Sequence, residues 1–166
     1  MVPVHYHTIM NEGIISDEAP AAASARAQTN PPPQILVVDD NSDYRQLTID
    51  VLVDSGYRVE PAKDGAEGWD ALQAKSYDLV ITDNQMPRMT GIDMIERLRA
   101  AGLKVPVMMA TGSLPVHEFT NKPWLYPDAT LQRPFSNYVL LETVKRVLRR
   151  NASYNAHMQM LLPINL

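Results

Sequence analysis

The sequence predicts an α/β fold, a five-stranded parallel sheet doubly wound by helices on its two faces. Two observations carry this prediction. Between Gln34 and Arg150, short apolar strands alternate with amphipathic helical stretches in five successive pairs, the pattern of crossover connections and not of hairpins. The strands also end on chemistry: Ile35-Leu36-Val37-Val38 runs into Asp39-Asp40, Asp78-Leu79-Val80-Ile81-Thr82 into Asp83, Val107-Met108-Met109-Ala110 into Thr111, and Ala129-Thr130-Leu131-Gln132 into Arg133. A parallel sheet collects such equivalent strand ends along one edge.

Each element has its own local signal. The first strand covers residues 35–39, and the helix after it sets Leu47, Val51 and Leu52 on one face before stopping at Ser55-Gly56. The second strand, residues 57–62, is short and more polar, as an edge strand is. Asp64-Gly65 opens a helix bearing Trp69, Leu72 and Gln73 that ends near Ser76. After the third strand, residues 78–82, Thr90 caps a helix that turns Ile92, Ile95 and Leu98 to the sheet and ends at Gly102. The fourth strand begins at Val105-Pro106, where proline is tolerated because the strand only starts there. Pro115, Pro123 and Pro127 leave room for just a short helix over residues 116–121. The fifth strand spans residues 129–132, and Ser136 then caps a last helix with Leu140, Leu141, Val144, Val147 and Leu148 on one side.

A length of 166 residues suits one domain with tails. The expected division is an N-terminal tail over residues 1–33, a domain over 34–150 and a C-terminal tail over 151–166. The first tail lacks periodicity and closes on Asn30-Pro31-Pro32-Pro33, a composition with too little apolar surface to offset the entropy of ordering. Its His5 and His7 lack the further ligands a closed metal site needs. In the second tail, Met158, Met160, Leu161 and Leu162 are expected to pack back on the core in preference to meeting a partner.

Composition excludes several classes. With no cysteine there is no disulfide, thiolate metal site or cysteine nucleophile. A net charge of −4 with both signs interspersed offers no basic stripe for nucleic acid, so the expected partner is protein. No apolar run approaches the roughly 18 residues of a membrane span, and the first residues lack the charged and apolar regions of a secretory leader. The expected location is the cytoplasm.

Ligands of open α/β sheets bind beyond the carboxyl ends of the strands, where the winding direction reverses. For a strand order of 2-1-3-4-5 that crevice lies between the first and third strands, and Asp39-Asp40 face Asp83 across it. Three carboxylates so placed repel one another unless a cation joins them. Oxygen donors without His or Cys select a hard divalent ion, and Mg2+ with several waters retained fits best. A carboxylate there can attack a phosphoryl donor to form an aspartyl phosphate, while the metal and a nearby cation hold the equatorial oxygens. Asp83 is the candidate nucleophile because it lies between the acidic pair and the strand carrying Thr111. Thr111 offers a hydroxyl and Arg133 a positive charge. Taken singly, the acidic pair reads as a helix cap, Asp83 as a turn residue and Arg133 as a surface cation; their joint placement at four strand ends makes a site.

Four motifs, Ile35-Leu36-Val37-Val38-Asp39-Asp40, Asp83-Asn84-Gln85-Met86-Pro87-Arg88-Met89-Thr90-Gly91, Pro106-Val107-Met108-Met109-Ala110-Thr111 and Arg133-Pro134-Phe135, make residues 34–150 resemble the receiver domain of bacterial two-component response regulators. The resemblance implies a flavodoxin-like sheet of order 2-1-3-4-5 with five helices, of which the prolines leave the fourth irregular or shortened. It implies that Asp83 is the phosphoacceptor, Asp40 a direct Mg2+ ligand and Asp39 a ligand acting mainly through water, with the backbone carbonyl of Gln85 completing the protein's share. Thr111 matches the hydroxyl residue that moves towards the phosphoryl group. Two positions depart from the family pattern: Arg133 stands where a lysine is usual, and Thr130 where a Tyr or Phe normally swings in behind the moving threonine.

The resemblance further implies a histidine kinase or phosphotransfer protein as donor and an unknown protein or phosphorelay as output, with homodimerisation open. The reading is of a stand-alone regulator without direct nucleic-acid or membrane contact. Catalysis is confined to self-phosphorylation and self-dephosphorylation, so no enzyme is expected. The alternative is a receiver-like binding module that works without phosphorylation, its Arg133 permanently paired to Asp83. A metal-dependent phosphatase is a third reading, disfavoured because no insertion would build a substrate cap.

Overall fold

Aliphatic runs bounded by polar residues fold into the strands expected of them. A computed structural model describes residues 31–161, so the expectations for residues 1–30, including His5 and His7, and for the side chains of Leu161 and Leu162 lie outside the described residues. The five strands, β1 (Gln34–Val38), β2 (Arg58–Ala62), β3 (Leu79–Thr82), β4 (Val107–Thr111) and β5 (Ala129–Gln132), are all parallel and lie in the order β2-β1-β3-β4-β5. This is the flavodoxin-like arrangement expected.

Side-chain alternation along the central strands divides the core in two. Leu36, Val38, Val80, Val107 and Met109 face one cluster, completed by Leu72, Met94, Ile95, Leu98 and Phe119. Ile35, Val37, Leu79, Ile81, Met108 and Ala110 face the other, completed by Leu52, Leu140, Val144 and Val147. Because both faces are covered, every residue of β3 and β4 is buried, which is why those strands read as unbroken apolar runs. The edge strand β5 alternates instead: Ala129 and Leu131 are buried while Thr130 and Gln132 are exposed.

The helices begin where capping chemistry directs. Asn41 accepts from the Asp43 and Tyr44 N–H groups at 2.9 and 3.1 Å to start α1 (Ser42–Asp54). Asp64 starts α2 (Gly65–Ala74) in the same way, and Thr90 forms a reciprocal capping box with Asp93 to start α3 (Gly91–Ala100). The proline-framed segment yields α4 (Val116–Asn121), followed by a 3-10 turn (Pro123–Leu125). Phe119 of α4 is buried and stacks on Tyr126, with ring centroids 4.7 Å apart.

Three expectations meet a different structure. Leu47 is 53 % exposed, and the buried stripe of α1 runs through Thr48 and Leu52. The last helix, α5 (Asn137–Leu161), continues past Arg150, because residues 151–161 contain neither proline nor glycine to break it. Along that extension Met158 is 39 % and Met160 83 % exposed, so these side chains do not pack back on the core. Among the described residues, no helix is long and apolar enough to cross a membrane.

Candidate functional site

Strand register delivers the acidic residues to one place. Val38 of β1 pairs with Thr82 of β3, so Asp39 and Asp83 each follow the last paired residue of adjacent strands. The Asp83 N–H extends the ladder to the Val38 carbonyl at 2.9 Å, and the Asp39 N–H bonds to the Ala62 carbonyl at 3.1 Å. Asp40, one residue beyond, turns to the exposed side. Carboxylate oxygens of Asp39, Asp40 and Asp83 all lie within 4.8 Å of one another.

Arg133 answers this negative charge. Its backbone N–H donates to the Thr111 carbonyl at 2.9 Å, which brings the end of β5 alongside β4. Its Nη2 donates to Asp39 Oδ2, and its Nη1 lies 3.6 Å from Asp83 Oδ2. Asp39 is buried, with its other oxygen accepting from the Asn41 N–H at 2.9 Å. Burial pushes its carboxyl above the usual carboxylate range and the Asp83 charge adds to this, outweighing the hydrogen bond and charge of Arg133 and the Asn41 N–H. Three oxygen donors with no nitrogen or sulfur ligand suit a hard divalent ion such as Mg2+.

Asp40, Asp83, Gln85 and Arg133 line one open cleft of about 870 Å³ together with Tyr44 and Gly112. Of the residues singled out from sequence, Asp39 lies just behind these. Thr111 does not turn into the cleft: it is buried, its hydroxyl donating to the Ser113 carbonyl at 3.2 Å. Thr130 is exposed on the outer face of β5, paired in register with Met109.

Side chains that sequence reasoning passes over hold the surrounding loops. Arg45 donates to the Asp39 carbonyl at 2.6 Å. Tyr44 lies under Arg133, whose Cζ is 4.4 Å from the ring centroid. Asp64, buried at the start of α2, accepts from Ala66 and Glu67 N–H groups at 2.9 and 3.0 Å and from Arg88 Nε at 2.7 Å. Arg88 has φ 65° and follows Asp83 by a few residues, so this pair ties the acceptor loop to α2. An acidic residue before Gly65 is the signal available in the sequence; its distant partner is not.

Burial raises the Asp64 pKa, yet the Glu67 N–H, Arg88 and the Ala66 N–H outweigh it and hold the carboxyl below its usual value. A depressed carboxylate stabilises the fold above its unfolded pKa of about 3.9 and loses that contribution as pH falls through the lower folded value. Asp64→Asn keeps the cap but loses the charge, and is expected to cost about 1.5 kcal/mol at pH 7. Urea unfolding across pH should find the gap to wild type closing below about pH 4. A gap constant down to about pH 3 would mean that the charge contributes nothing.

A doubly wound sheet with an acidic cluster at its switch point marks a compact α/β module built around a carboxylate pocket. Comparisons supply the family. Residues 35–145 match the response regulator receiver domain, and the chain belongs to that family. It is 34 % identical over 121 residues to the response regulator MprA of Mycobacterium sp. strain KMS, covering 73 % of this chain and 53 % of MprA. The chain thus spans about half the length of the curated relatives it matches. The Vibrio cholerae chemotaxis protein CheY4 superposes with a TM-score of 0.65 at 31 % identity, over 70 % of this chain and 98 % of that one. A CheY-like receiver domain protein from Methanospirillum hungatei gives a TM-score of 0.70 at 25 % identity, over 74 % and 98 %. The chain is a two-component signalling module.

Proposed function

We propose that this receiver accepts a phosphoryl group on Asp83 from a phosphohistidine of a kinase or phosphotransfer protein. The observation that carries the reading is the meeting of three carboxylates within 4.8 Å beside the Arg133 guanidinium. An Asp83 carboxylate oxygen attacks phosphorus; the new O–P bond forms as the P–N bond breaks, and the imidazole leaves with its electron pair and takes up a proton. Bound Mg2+ supplies positive charge to the equatorial oxygens.

Asp40 and Asp83 would hold the metal, with Asp39 close enough to act on it through water, and Gln85 would offer its backbone carbonyl at the cleft. Arg133 Nη1 supports the developing charge, and the Thr111 hydroxyl leaves Ser113 to meet the arriving group. Arg133 ion-pairs with Asp83 at 3.6 Å but hydrogen-bonds only to Asp39, which leaves the Asp83 oxygen open to a phosphoryl group and favours this reading over a module with those two residues sealed together. Output then runs to a protein partner, Thr130 leaving the β5 side of that signal without an aromatic ring.

Incubation with Mg2+ and acetyl phosphate, followed by intact mass, tests the proposal: one phosphoadduct is expected. Absence of the adduct under conditions that label a control receiver would refute it. Asp40→Ala removes an exposed direct ligand and is expected to weaken Mg2+ binding at least tenfold, about 1.4 kcal/mol or more. Titration with the metal alone reads this, and an unchanged dissociation constant would misplace the ion.

A further inference from the structure

The capture steps assigned above use no group of Tyr44, although its ring lines the cleft. It sits in the first turn of α1, the residue 47 % exposed, where a polar residue would satisfy the helix equally well. The ring instead forms a floor for Arg133, whose Cζ stands 4.4 Å from its centroid. The guanidinium is thus bounded by an aromatic face, by Asp39 through Nη2 and by Asp83 at 3.6 Å from Nη1, and its side chain is only 13 % exposed. Lysine carries a compact point charge; a planar fork can lie flat on a ring and reach towards two carboxylates at once.

Resting on the phosphoacceptor reading, we infer that Tyr44 is a positioning residue that locks Arg133 across Asp39 and Asp83 as an internal counter-ion competing with the divalent cation. The lock acts with opposite sign on two ligands. It opposes Mg2+, because Asp39 must be shared with a guanidinium that the ring keeps in place. It favours a phosphoryl group, because Nη1 is already held beside the Asp83 oxygen that would bear it. Tyr44 consequently sets how much metal the site needs before it can be loaded.

The test uses the full chain with Tyr44→Leu and Tyr44→Trp. In the metal-free protein, the Arg133 Nε–H resonance should show an upfield ring-current shift that Tyr44→Leu removes and Tyr44→Trp keeps. Titration with Mg2+ alone should show Tyr44→Leu binding about threefold more tightly, and beryllofluoride at saturating Mg2+ should bind it about fivefold more weakly. Tyr44→Trp should return both constants towards wild type. A role confined to stability would move the two constants in the same direction, so a same-sign change, no change, or a missing ring-current shift would overturn the inference. If wild type binds both probes and only the Tyr44 variants fail to respond, the phosphoacceptor reading survives; if wild type binds neither, both fall.

Discussion

Asp83→Asn is expected to abolish the phosphoadduct while leaving the fold nearly unchanged. The substitution preserves shape, and the new side-chain oxygen can still accept from the Asn84 N–H, now bonded to Asp83 Oδ1 at 2.6 Å. An amide lacks the anionic oxygen that attacks phosphorus, so the loss of labelling is complete and not partial. Stability should move by less than about 1 kcal/mol, because removing one of three clustered negative charges compensates for the weakened contact with Arg133. Intact mass after acetyl phosphate treatment and a thermal melt read the two halves separately. Persistent labelling would transfer the acceptor role to another carboxylate, and a collapsed melt would make Asp83 chiefly structural.

The second large effect is expected from Gly91→Ala. A Cβ at this position would overlap the Asp83 carbonyl oxygen and stand 3.0 Å from the Asn84 Cα. Those neighbours are backbone, so no rotamer change relieves the clash. The Gly91 N–H donates to the Asn84 carbonyl at 3.0 Å and the Ile92 N–H to the Asn84 side chain at 3.2 Å, clamping the start of α3 against the acceptor loop. Pushing the two apart should cost about 3 kcal/mol and displace Asp83 from the carboxylate cluster. A lowered urea midpoint together with lost Mg2+ affinity is expected. Wild-type stability and affinity in the Gly91→Ala variant would show that the loop yields freely.

Much of this fold is legible because its signals are local. The prolines at 115, 123 and 127 confine α4 to residues 116–121, and Thr90 with Asp93 marks the start of α3. The carboxylate cluster is legible for a related reason. Parallel strands joined by crossovers present their carboxyl ends along one edge, so Asp39, Asp40 and Asp83 must meet once the strand order is known. Leu47 departs from its expected place because its helix is weakly amphipathic: Thr48 takes the buried position beside Leu52 while Leu47 and Val53 face outward. The extension of α5 is hard to read because a polar stretch resembles a tail when no packing partner is visible, although it contains no helix-breaking residue.

The order of residues along the chain dictates which chemistry gathers at the sheet edge: the three acids, the acceptor loop and a cation at the end of β5. Their strand positions and the handedness of the crossovers leave few other arrangements. How that chemistry is poised is settled in three dimensions. How Arg133 divides itself between Asp39 and Asp83, whether Tyr44 lies beneath it, where Thr111 directs its hydroxyl and that Asp64 captures Arg88 depend on side-chain packing between segments far apart in the chain. A long side chain has several staggered rotamers that its own sequence does not choose between, so the choice falls to the surrounding contacts.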